Sequence, residues 1–212
     1  MTLPAGIRVA WREVPAGSKR RDVSRALLAE LLPGAWFTSR CPVCGADHGR
    51  VRVEGADAAA SVSYAGGWAV VATASGHESV GVDAVPGHAA GLERVLPPVV
   101  SDRPAGLETS ATRAEAEHRA TGGEQARAWA RVEAVLKADG RGLGVDPRCV
   151  EVTLNGARWS ARVRSPSSDR AEAGDDGEAG ARERRWRGWD LDGPDGVVLA
   201  VAVEARADDV SV

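Results

Sequence analysis

The sequence predicts an α+β fold built from two similar halves, residues 1–98 and 99–212. Two observations point there. Apolar residues recur at helical spacing in 18–32 and again in 124–139, and each of these stretches is accompanied by short strand-like runs rich in β-branched residues. Between the two groups lies a long polar segment, 101–123, whose poor periodicity supports no assignment.

The elements follow in order. "GIRVAW" (6–11) opens as a strand, and "SKRRDVSRALLAELL" (18–32) is a helix with Ser18 as N-cap and Val23, Ala26, Leu27 and Leu31 on one face. Pro33-Gly34 stops it. After the loop "CPVCGADHGR" come strands at 50–55, at 60–74 in two pieces around Gly66-Gly67, and at 79–85. A weak apolar helix is expected over 89–96. The second half opens with the helix 124–139, for which Gly140 is the stop, and continues with strands at 149–155, 157–163, 185–192 and 196–205. The segment 165–184 is rich in Ser, Gly, Asp and Glu, has no aliphatic larger than alanine, and reads as a disordered insert.

Composition narrows the class of protein. At 43% hydrophobic and 27% charged residues, with no run near the ~20 apolar residues of a membrane span, the chain reads as soluble and without a membrane partner. The N-terminus lacks the order of a secretory signal, and three cysteines make no disulfide framework, so a cytoplasmic protein is expected. A net charge of −3 argues against nucleic acid as partner. "RERRWRG" (182–188) borders the acidic insert and reads as a solvated strand edge rather than a nucleic-acid patch. His77, His88 and His118 sit in polar contexts with no partner that spacing identifies.

The stretch "AWARVEAVLKADGRGLG" (128–144) is the most informative. Trp129, Glu133 and Lys137 recur at i, i+4 spacing, and Lys137 is one of only two lysines in a chain whose other basic residues are all arginine. A compact ammonium does a different job from a planar guanidinium. Taken alone, Glu133 and Lys137 are a surface pair worth ~0.2 to 0.5 kcal/mol, and Trp129 is a packing residue.

Three segments occur together in one order: "SVSYAGGWAVVA" (61–72), "GVDAV" (81–85) and "WARVEAVLKADGRGL" (129–143). With "RRDVSRALLAELL", "CPVCGADHGRVRV" and "GWDLDGPDGVVLAVAV", they resemble the larger, surfactin-synthetase-activating type of 4'-phosphopantetheinyl transferase. The resemblance covers nearly everything except 99–124 and 165–184. It implies two halves about a pseudo-twofold axis with the ligand cleft between them, so that one chain makes a complete site as a monomer. It also implies magnesium-dependent transfer of the phosphopantetheine arm of coenzyme A to a serine of an acyl or peptidyl carrier protein.

The same resemblance assigns roles to residues. Asp83 and Glu133 match the metal-binding acids, and Glu133 doubles as general base beside the carrier serine. Lys137 matches the lysine on the coenzyme A phosphates. Ser63, Arg20, Arg21 and Arg50 fall where the family holds the adenosine 3'-phosphate and base. Three positions depart from the family pattern: Val85 replaces the second acid of Gly-Val-Asp-x-Glu, Tyr64 replaces a histidine, and Val132 replaces the lysine before Glu133. These losses keep a second reading open, a non-catalytic member that binds coenzyme A or a carrier protein. Separately, Cys41, Cys44 and His48 have the spacing of a zinc knuckle, but no fourth ligand is apparent, although folding could bring Cys149 or His77 near; a tight Pro-containing turn with buried thiols is the preferred reading.

Overall fold

The structure, a computed structural model, describes residues 2–41, 43–89, 91–92, 111–156, 158–164 and 184–205, with the backbone alone at 111–122 and 143. The chain is mixed α+β, and among the described residues every strand pairing is antiparallel. The elements run β1 (Ile7–Glu13), α1 (Arg20–Leu31), β2 (Trp36–Thr38), β3 (Arg52–Glu54), β4 (Ala58–Ala65), β5 (Trp68–Ser75), β6 (Val80–Pro86), α2 (Ala111–Asp139), β7 (Val150–Asn155), β8 (Arg158–Val163), β9 (Arg185–Asp192) and β10 (Val197–Glu204). They form a three-stranded sheet in the order β1-β5-β4, a five-stranded sheet in the order β6-β10-β9-β8-β7, and a two-stranded ribbon of β2 and β3.

Helix α1 packs on β5 of the smaller sheet through Leu27 and Leu28, which meet Ala69 and Val71 in one apolar cluster. Val23, Leu27 and Leu31 pack there as expected, but Ala26 is exposed, and Leu28 and Ser24 are buried in addition, the Ser24 hydroxyl bonding the Arg21 carbonyl at 2.9 Å and the Tyr64 hydroxyl at 2.8 Å. Ser18 does not cap the helix; the N-cap is Lys19, which makes no side-chain capping bond. The Gly66-Gly67 turn behaves as read. Both glycines have positive φ, 56° and 85°, the conformation a two-residue hairpin between right-twisted strands requires.

Helix α2 lies across β6 and β10 of the larger sheet. It begins at Ala111, well before the expected start near 124. Its first turns, "ATRAEAEHRA", are made of good helix formers without an apolar stripe, so periodicity misses them while intrinsic propensity allows them. Gly140, with φ of 86° and its N–H bonded to the Leu136 carbonyl at 3.1 Å, ends the helix as anticipated. A buried ion pair fixes the helix over the sheet: Asp190 accepts from Arg131 Nε at 2.9 Å and from Trp159 Nε1 at 3.1 Å.

β6 joins the two sheets. It belongs to the first part of the chain yet forms an edge of the sheet completed by β7 to β10, pairing with β10. On its other side the N–H groups of Val82 and Ala84 donate to the hydroxyls of Ser61 (3.0 Å) and Ser63 (3.2 Å) on β4. The Ser-x-Ser repeat of β4 therefore matches the two-residue period of an edge strand and satisfies donors that would otherwise be buried without partners.

The division at 98/99 falls outside the described residues. So do the helix expected over 89–96 and the insert 165–184, apart from residues 89, 91, 92 and 184. Among the described residues no helix is long and apolar enough to cross a membrane.

Candidate functional site

The approach of α2 to β6 determines the site. A Cβ at Gly81 would overlap the Ala134 carbonyl oxygen and stand 2.6 Å from the Ala138 nitrogen, so only glycine lets the helix backbone lie directly on the strand. Gly81, Asp83 and Val85 share the β6 face turned to α2, while Val80, Val82 and Ala84 fill the cluster on the opposite face.

That approach brings Lys137 onto Asp83. The ammonium donates to Asp83 Oδ1 at 2.6 Å, to Ser63 Oγ at 3.1 Å and to the Val82 carbonyl at 3.1 Å, which uses its three protons. Ser63 Oγ donates in turn to Asp83 Oδ1 at 2.8 Å. Glu133, one turn before Lys137, is half-buried. Burial, followed by the negative charge of Asp83, raises its pKa above the ordinary carboxylate value, with Lys137 acting in the opposite direction. Two carboxylates and one ammonium thus share a partly desolvated spot.

The three departures in the motifs acquire physical meanings. Val85 and Val132 are 6% and 4% exposed and belong to one apolar cluster, so each fills core space where a charge would be buried. Tyr64 spends its hydroxyl on Ser24 and carries the Arg20 guanidinium 4.7 Å above its ring centroid. Trp129 packs against the same cluster as Val85 and Val132, as expected for an anchor.

Beside this node opens a cavity of about 500 Å³. Six cations line it: Arg20, Arg21, Arg25, Arg50, Lys137 and Arg141. No carboxylate does so among the described residues. Arg50 loses affinity for its proton through burial and then through the neighbouring charges of Arg184 and Arg52; Arg25 is lowered mainly by burial. Arg25 Nη1 is a buried nitrogen with no hydrogen-bond partner among the described residues. Gly140, whose missing Cβ would sit 2.7 Å from Arg50 Nη1, leaves room for that guanidinium over the end of α2. Arg21, Lys137 and Arg141 already pair with Asp47, Asp83 and Asp139, none of which lines the cavity, so the wall itself presents cationic groups of the kind that attract anions.

The expected residues divide between the two places. Arg20, Arg21, Arg50 and Lys137 meet in the cavity; Asp83, Ser63 and Lys137 meet in the hydrogen-bonded node, with Glu133 adjacent. Ser63 does not line the cavity, where Ser61 and Tyr64 appear instead. Arg25 and Arg141 had not been anticipated. Arg25 follows Arg21 by four residues on α1, a spacing that places both on one helix face, and Arg141 follows the helix stop at Gly140.

Cys41, Cys44 and His48 come together next to the cavity, on whose wall His48 and Gly49 lie. Neither Cys149 nor His77 joins them. Backbone N–H groups of Cys44 and Val43 hold the Cys41 thiol below its ordinary pKa. No family model matches the chain, and no curated protein matches it.

Proposed function

We propose that this protein binds coenzyme A through its phosphates and transfers the 4'-phosphopantetheine arm to a serine of an acyl or peptidyl carrier protein. The observation that supports it most is the six-cation cavity, free of carboxylates among the described residues, that leads to the Asp83, Glu133 and Lys137 node. Its volume suits a nucleotide-sized ligand. Coenzyme A carries a 3'-phosphate and a pyrophosphate, and Arg20, Arg21, Arg25 and Arg50 provide the guanidinium forks that bind such groups. The reading keeps the two halves about a pseudo-twofold axis, a monomer, and a place in the cytoplasm.

In the reaction the carrier serine oxygen forms a bond to the β-phosphorus, the bond to the bridging pyrophosphate oxygen breaks, and 3',5'-adenosine bisphosphate leaves. Glu133 takes the serine proton, a task for which a raised carboxylate pKa is suited. Lys137 turns from Asp83 to the phosphates, and the cavity arginines hold the leaving bisphosphate. The donors fit magnesium, which keeps several waters and commonly takes one or two carboxylates with substrate phosphates; Asp83 lies close enough to Glu133 for its charge to be felt there. Magnesium held by Asp83 and Glu133 would supply positive charge to the pyrophosphate as it breaks.

A specific observation favours a second reading. Lys137 already uses all three ammonium protons within the protein, one of them on Asp83. A chain that keeps that pair closed binds coenzyme A or a carrier without transferring the arm. Mass spectrometry of an apo carrier protein incubated with this protein, coenzyme A and magnesium separates the two. A metal-dependent gain of one phosphopantetheine is expected; no gain across several carriers, from protein that still binds coenzyme A, would move the assignment to the binding reading.

A further inference from the structure

The loop between β2 and β3 carries a second cluster of chemistry that the transferase reading leaves unused. Cys41 Sγ, Cys44 Sγ and a His48 ring nitrogen all lie within 4.8 Å of one another, and Cys44 Sγ is 2.9 Å from His48 Nε2. Tetrahedral zinc, with Zn–S near 2.3 Å and Zn–N near 2.0–2.1 Å, requires donors roughly 3.5 to 3.8 Å apart. The Cys44–His48 separation is shorter than that and all three donors lie within 4.8 Å, so the side chains must adjust to hold the ion.

The backbone is already folded for this purpose. The Gly45 N–H bonds the Cys41 carbonyl at 2.9 Å, and the Cys41 N–H bonds the Ala46 carbonyl at 2.8 Å. Gly45 is left-handed, with φ of 71°. N–H groups of Val43 and Cys44 point at the Cys41 sulfur. Such bonds stabilise a thiolate held by a metal, much as outer partners orient metal ligands elsewhere. The loop is also pinned at its base: Gly49 N–H donates to the Ser39 carbonyl at 2.6 Å, and Asp47 pairs with Arg21 of α1. A nucleophilic Cys44–His48 pair would not need a second sulfur at the same spot.

We propose that Cys41, Cys44 and His48 bind one zinc ion, with water as the fourth ligand, and that this clasp holds the wall of the arginine cavity formed by His48, Gly49 and Arg50. Two thiolates and an imidazole are a donor set that favours zinc over the hard cation discussed for Asp83 and Glu133. Cys44 and His48 are exposed, so the metal has access.

The test uses zinc and cobalt alone, with neither coenzyme A nor carrier present, so its outcome is independent of the transferase assignment. The full chain, stripped by chelator under reductant, is loaded with zinc and freed of excess. One zinc per chain is expected to remain, and cobalt in its place should show thiolate-to-cobalt charge-transfer absorption. Cys41→Ser and His48→Ala, changes in a surface loop, should each lose the retained zinc with circular dichroism unchanged. Retention of no metal by the wild type, or equal retention by Cys41→Ser and His48→Ala, overturns the proposal. So does formation of a Cys41–Cys44 disulfide that persists under reductant and excludes the metal.

Discussion

Gly81→Ala is expected to lower unfolding stability by about 3 kcal/mol, the upper part of the range for overpacking a core. The new methyl overlaps the Ala134 carbonyl and crowds the Ala138 nitrogen, both backbone atoms that cannot rotate away. Helix α2 must therefore rise from β6, taking Glu133 and Lys137 away from Asp83. A misplacement of about 1 Å in such a constellation costs on the order of 100-fold in rate. Gly144→Ala is the control, since Gly144 has open space around it and no positive φ; its change should stay within a few tenths of a kcal/mol. Urea unfolding of both variants checks the claim. Equal stabilities would mean that the close helix–strand contact does not hold the site.

Glu133→Gln should reduce phosphopantetheinyl transfer about 10² to 10⁴-fold, the contribution typical of a positioned acid–base group. Its effect on stability runs the other way. Because the folded-state pKa is raised by burial and by Asp83, the folded chain holds a proton more tightly than the unfolded one. Stability therefore falls as pH rises from the unfolded carboxylate pKa, about 4.3, through the folded value, and the whole cost is present above it. The glutamine variant should be more stable than the parent at pH 8 and lose that advantage near pH 4. Denaturant unfolding at the two pH values reads the crossover. A variant that keeps its transfer rate would remove Glu133 from the chemistry; one that gains no stability at pH 8 would contradict the account of its burial.

The local pattern was easier to read than the assembly. Alternating apolar runs and the Gly66-Gly67 pair were enough to locate β4 and β5, because hairpin geometry depends on neighbouring residues. β2 escaped, since three residues are too few to show a period. The early turns of α2 escaped because polar helix formers carry no stripe. That β6 leaves its sequence neighbours to pair with β10 is a long-range choice, visible only once the serines of β4 are seen on its edge.

The candidate site was legible unevenly for the same reason. Asp83 and Lys137 are 54 residues apart, and their spacing alone gives no hint that they touch. The family resemblance assigned both to one cleft, Asp83 to metal and Lys137 to phosphate, without predicting the direct ion pair. Arg25 and Arg141 carried no comparable signal, because arginine is abundant in this chain and only the shape of the cavity distinguishes these two from the rest.

The central claim is that the arginine cavity takes the phosphates of coenzyme A. Calorimetric titration tests it most directly, with coenzyme A and with phosphate-free pantetheine against the parent chain and an Arg25→Ala, Arg50→Ala double variant. The parent should bind coenzyme A, weaken steeply with salt, and bind pantetheine at least about tenfold less well, since hydrogen bonds to charged groups contribute about 1.5 to 3 kcal/mol each. The double variant should lose most of that preference. Equal affinity for pantetheine and coenzyme A, or a double variant that binds coenzyme A as tightly as the parent, would contradict the claim.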